Sequence, residues 1–165
     1  MSIVNVSDFK GKNTIAQTEQ ANVASVVQAY IDRLEPEYLR KVLGVTLYDL
    51  YNAGIIANDA KYLAIKNGAN YTDSYGDVVY YEGLKQPILN YIYFHYLKNN
   101  TTATTGSGEK TIQKAEAAAA LDKEVRAYND MVTVNKQLHG YLYSKQIKVS
   151  WKYSEMFEYE NTLGL

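Results

Sequence analysis

The chain has 165 residues, no cysteine, and 17 basic against 18 acidic side chains, for a formal net charge of −1. That length suits one domain with an added arm, and a chain of this size buries roughly 68–70% of its unfolded surface, enough for a core without disulfides or metal. The missing cysteines exclude thiolate catalysis and cysteine-bound zinc and fit a reducing compartment, while the balanced charge argues against a general polyanion binder.

Residues 1–17 read as an extended N-terminal arm, with weak alternation at Ile3, Val4, Val6 and Phe9. They contain no apolar stretch of the kind a secretion signal needs, and nowhere do about 20 apolar residues run together as a membrane span would require. From about Thr18 to Leu34, Val23, Val27, Tyr30, Ile31 and Leu34 recur at helical spacing. Pro36 is expected to break this helix and open the next, because its ring lacks an amide donor and restricts Glu35 before it. Three short helices are then expected. "PEYLRKVLG" closes on Gly44, "TLYDLYNAG" runs from a Thr46 cap to Gly54, and "NDAKYLAIKNG" runs from Asp59 to Gly68.

The period changes at residues 70–81, where tyrosines and valines flank Asp-Ser-Tyr-Gly, the pattern of a small β-hairpin. "GLKQPILNYIYFHYLKNN" follows, with Leu84, Ile88, Leu89, Tyr91, Ile92, Tyr93, Phe94, Tyr96 and Leu97 surrounding a helix axis. A helix apolar on nearly all sides must be covered on nearly all sides, by its own core or by neighbouring subunits. Residues 99–110, "NNTTATTGSGEK", read as a flexible polar loop with too little apolar surface to order itself. Residues 111–146 read as a long helix, with one stripe through Leu121, Val125, Tyr128, Val132, Leu138 and Leu142 and a second through Met131, Val134 and Tyr141. Gly140 is a place where it could bend or end. Residues 147–165 read as a C-terminal arm carrying isolated anchors: Trp151, Tyr153, Met156, Phe157, Tyr159, Leu163 and Leu165. The expectation is therefore one mainly α domain, with residues 18–98 as a helical core containing the hairpin. Several short helices, two longer ones and extended arms at both ends complete it.

Little in the sequence carries chemistry. "GSGEKT" lacks the glycine that must precede the lysine of a phosphate loop, and Glu109 puts a negative charge where phosphate would sit. His95 and His139 are the only histidines and stand in no metal-binding spacing. The serines have no nucleophile-elbow context, and the carboxylates are scattered along helical faces. The reading is no catalytic residue, no cofactor and no metal. What stands out is 17 tyrosines against three phenylalanines and one tryptophan. Tyrosine covers a large area while keeping a hydroxyl for a partner, and interfaces are enriched in it.

The succession "YLRKVLGVTLYDLYNAG", a tyrosine hairpin running into "YYEGLKQPILNYIYFHYLKNN", "TTATTGSGEK", a long helix and "FEYENTLGL" resembles the head–tail connector proteins (adaptor, or head-completion) of tailed bacteriophages. The resemblance covers about residue 20 to the end. It implies a largely helical protein without catalytic residues, made in the host cytoplasm and located in the virion. There it would assemble as a ring, usually twelve-fold, below the portal. Such a ring extends the channel through which DNA passes without sequence-specific binding, and gives the next connector, stopper or tail protein a docking platform. The extra hairpin and polar loop are departures from a minimal helical adaptor. A stopper or tail-completion ring, or a small phage-encoded regulator or enzyme, are the alternatives. Tyr91, Tyr93, Phe94, Tyr96, Trp151, Phe157, Tyr159, Leu163 and Leu165 are the interface candidates.

Overall fold

The structure, a computed structural model, describes residues 2–100, 114–149 and 153–161. Among these, five α-helices and one two-stranded antiparallel sheet form a mainly helical fold, as the periodicity predicts. The helices are α1 (Ala21–Leu43), α2 (Val45–Ile56), α3 (Ala60–Asn67), α4 (Lys85–Asn100) and α5 (Lys114–Ser144), and the strands are β1 (Ala69–Thr72) and β2 (Val78–Tyr81). None of these helices is long and apolar enough to cross a membrane.

Pro36 does not break the first helix, contrary to the sequence expectation. It lies inside α1, which runs unbroken for 23 residues. A proline removes one backbone hydrogen bond and crowds the preceding turn, at roughly 3 kcal/mol. Here the apolar stripe continues through it, with Val27, Ile31, Leu34, Tyr38 and Val42 all buried. Packing on both sides of the proline outweighs the local defect. The chain then turns at Gly44, in the left-handed region at φ 73°, directly into α2.

Two more boundaries move for similar reasons. Helix α2 is preceded by Gly44, not capped by Thr46, and it passes through Gly54 to Ile56. Gly54 is needed for contact, since a Cβ there would lie 1.9 Å from the Tyr62 ring of α3. Helix α5 likewise passes Gly140, where a Cβ would meet the Tyr71 hydroxyl at 2.4 Å. Helix α3 behaves as its sequence reads: the Asp59 side chain accepts from the Lys61 amide at 2.8 Å, and Gly68 closes the helix.

The hairpin pairs Ala69 with Tyr81 and Thr72 with Val78. Its turn is held by Asp73, whose side chain accepts from the amides of Tyr75 and Asp77 at 2.9 and 3.0 Å. One face turns inward: Tyr71 and Tyr81 lie against Tyr141 of α5, and the buried Tyr81 hydroxyl donates to the Ile65 carbonyl. Helix α4 occupies the centre between α1 and α5, with Ile88, Leu89, Tyr91, Ile92, Tyr93 and Phe94 buried, and Leu84 buried just before it. Of the two coverings open to it, the chain's own core is the one realised.

The arms also differ from expectation. The N-terminal residues are not an extended free arm. They form two 3-10 turns, Val6–Asp8 and Gly11–Asn13, and bury Val4, Phe9 and Ile15 in the core. Of the C-terminal arm, the described segment 153–161 lies on α5. Met156 is buried there, and its carbonyl accepts from Asn135 at 2.7 Å. The Tyr128 hydroxyl donates to the Glu155 carbonyl, and Asn129 exchanges two hydrogen bonds with Glu160. Asn99 and Asn100 of the expected loop end α4, and its remainder lies outside the described residues.

Candidate interaction surfaces

Three of the sequence-predicted interface residues are core residues. Tyr91, Tyr93 and Phe94 are buried within the single chain, because α1 and α5 together cover α4. Phe94 packs on Tyr128 with ring centroids 5.0 Å apart, and Tyr91 packs on Tyr38 at 5.5 Å. Tyr96 is half-buried, its ring edge-on to Tyr30 at 5.7 Å. Phe157 is half-buried beside His139, and Tyr159 is exposed with the Lys136 ammonium 3.8 Å from its ring centre. Trp151, Leu163 and Leu165 lie outside the described residues.

Tyr91 does anchor the densest polar cluster between α1 and α4. Its hydroxyl donates to Glu37 Oε1 at 2.8 Å and accepts from Lys41 Nζ at 3.2 Å, while Lys41 and Glu37 form an ion pair at 3.0 Å. The His95 ring stands edge-on to Tyr91 at 4.5 Å. Burial, with the Glu37 charge beside it, pushes the Tyr91 hydroxyl up to about 12. Burial also holds His95 down at about 4, against the pull of Glu37. Burial would raise Glu37, but hydrogen bonds from Tyr91 and Lys41 outweigh it and hold the carboxyl below its ordinary value. The cluster settles each group in one charge state, where a general acid or base works best with a pKa near neutral. No group of three or more histidines or carboxylates able to hold a metal occurs among the described residues.

The surface is more informative than the cluster. Helix α2 turns Leu47, Tyr51 and Gly54 inward on one stripe, yet Val45, Leu50 and Ile56 off that stripe are also apolar and exposed, Ile56 by 88%. The hairpin also exposes apolar residues, Val78 by 74% and Tyr80 on the outward side of β2 and Tyr75 by 91% in the turn. Beside α2 lies a cleft of about 370 Å³ lined by Ile3, Glu35, Tyr48, Tyr51, Ile56 and Lys66 among others. Beside the hairpin a larger groove of about 1020 Å³ runs between Tyr71–Ser74 and the end of α5, lined there by His139, Tyr143, Ile147 and Val149. The sequence carried a signal for both surfaces. "VVYY" has no polar residue on its outward face, and α2 is apolar beyond the stripe that a one-sided helix needs.

Set against protein families, curated proteins and solved structures, the chain matches none.

Proposed function

We propose that this chain is a structural subunit of a tailed-bacteriophage virion. In this reading copies assemble as a ring at the head–tail junction below the portal, extend the DNA channel and offer a docking platform to the next tail component. The observation that the ring reading rests on is that large apolar side chains stand exposed on two different elements, Val45, Leu50 and Ile56 on α2 and Val78 and Tyr80 on the hairpin. A closed ring is built by head-to-tail contacts, in which one patch of each subunit meets a different patch of the next. A two-fold dimer would need only one self-complementary patch. The resemblance of the segment order to connector proteins suggests the location, and exposed Tyr75 and Tyr80 supply amphipathic contact area at the hairpin. The proposed partners are therefore further copies of the chain, the portal, and a stopper or tail protein below.

The test is to image the purified protein by negative stain, alone and mixed with portal, in wild type and in Ile56→Asp and Tyr80→Asp variants. Rings are expected for the wild type, at least when portal templates them. Either charged variant should abolish lateral association while its helical circular dichroism is retained. Rings that form equally well in both variants would place the lateral contact elsewhere, and a wild type that neither self-associates nor binds portal would remove the proposal.

A further inference from the structure

Residues 2–15 form a strap keyed to the body along its whole length. Glu35 of α1, only 6% exposed, accepts from the Ser2 hydroxyl at 2.7 Å and from the amides of Ile3 and Val4 at 2.8 and 3.3 Å. Farther along, Asp8 pairs with Lys85 of α4 at 2.8 Å and Lys12 with Asp130 of α5 at 2.6 Å. The Asn13 amide donates to the buried Asn90 at 2.7 Å, and Val4, Phe9 and Ile15 fill apolar sockets. Every hydrogen bond to the Glu35 carboxylate among the described residues comes from the strap. The strap is thus what buries this carboxylate and supplies its donors, so seating a strap in the socket replaces water at Glu35 with three fixed hydrogen bonds.

The tether has the opposite character. Residues 16–20, between strap and α1, bury no side chain. Gln17 stands at φ 59°, a left-handed conformation that is unfavourable for a residue with a Cβ. Gln20, which precedes α1, makes no side-chain capping bond, and Val26 in the second turn of the helix is exposed. A closely keyed strap thus hangs on a strained and lightly held connection.

We propose that copies of this chain exchange straps, so that residues 2–15 of one copy seat on α1, α4 and α5 of the next and are clasped there by Glu35. The occupant of the socket is a second copy of the same chain. All the strap contacts are remade with identical chemistry, so no new complementarity is needed, and swinging Gln17 out of the left-handed region relieves its strain. The inference rests on the reading that copies associate side by side, and adds how neighbouring subunits are tied.

With no native cysteine, thiols can be placed cleanly. A Lys12→Cys chain and a longer, tagged Asp130→Cys chain are mixed, brought to associating conditions with or without portal, and treated with a short bismaleimide. Exchange predicts a cross-linked band at the summed mass in the associated fraction. Associated particles that give no such band, while a chain carrying both substitutions cross-links internally, overturn the exchange and leave the ring intact. A chain that never associates removes both. Gln17 variants give an independent readout by sedimentation. Gln17→Pro, barred from positive φ, should lower the concentration for half-association about tenfold, and Gln17→Gly, free of strain in the closed form, should raise it by a similar factor. Identical midpoints for both variants would also overturn the exchange.

Discussion

Two residues on α1 and α4 set measurable consequences at the scale of single side chains. Burial holds His95 at about 4 against its ordinary 6.5, with the charges of Lys41, Lys98 and Arg33 adding to that and Glu37 opposing it. Between those two values the unfolded chain carries the proton on this histidine and the folded chain does not. Stability therefore falls as pH drops through that window, by on the order of 1–3 kcal/mol. Asp8 and Glu37, both held below their ordinary values, add losses only at lower pH. Urea melts at pH 7 and pH 5 should show the fall in wild type and a flatter response in His95→Gln; equal slopes would mean another group is responsible. Glu35→Ala should cost roughly 2–4 kcal/mol, because it takes the acceptor from the amides of Ile3 and buried Val4 and loosens the strap. Trypsin should then cut the strap at Lys10 and Lys12 well before the helical body, while Glu35→Gln, which keeps one acceptor oxygen, should be protected more nearly like wild type.

Among the elements, helix propensity and packing make opposite forecasts at Gly54. Alanine in a helix interior is worth about 1 kcal/mol over glycine. Yet a Cβ at this buried position would sit inside the Tyr62 ring, so Gly54→Ala should destabilise by about 1–3 kcal/mol. A thermal melt decides the sign, and adding Tyr62→Ala should return part of the loss by clearing the space. The same contrast explains what the sequence disclosed. Helix α3, the hairpin and α4 were legible because their signals are local: Asp59 and Gly68 as caps, period two around a turn, and an apolar helix that must be central. Pro36 and Gly54 misled because their roles depend on neighbours distant in sequence, the packing of the α1 stripe and the Tyr62 ring. Tyr91, Tyr93 and Phe94, interface candidates by sequence, are covered by the chain itself for the same reason: apolarity marks burial without telling which chain supplies the cover. The exposed apolar residues of α2 and β2 were readable only as departures from one-sidedness.

For the whole molecule, the arms matter most. The tail segment 153–161 is tied to α5 through Met156 and the side chains of Tyr128, Asn129 and Asn135. Truncation after Val149 should therefore lower stability by about 3–5 kcal/mol, by opening the Met156 site and stranding the buried Asn135 amide, while far-ultraviolet circular dichroism stays helical. A truncated protein that melts like the full chain would show that the tail adds nothing to the body. The strap, residues 2–15, is likewise core material held to the body by side-chain contacts, and both segments can serve a ring if neighbours share them. Association is the central claim of the proposed function. The most direct measurement is the mass of the purified protein at rising concentration, alone and with portal, by light scattering coupled to size exclusion. The ring predicts closed species at a fixed integer multiple of 18.7 kDa, alone or once portal is present. A protein that stays at 18.7 kDa at every concentration and elutes independently of portal would refute it.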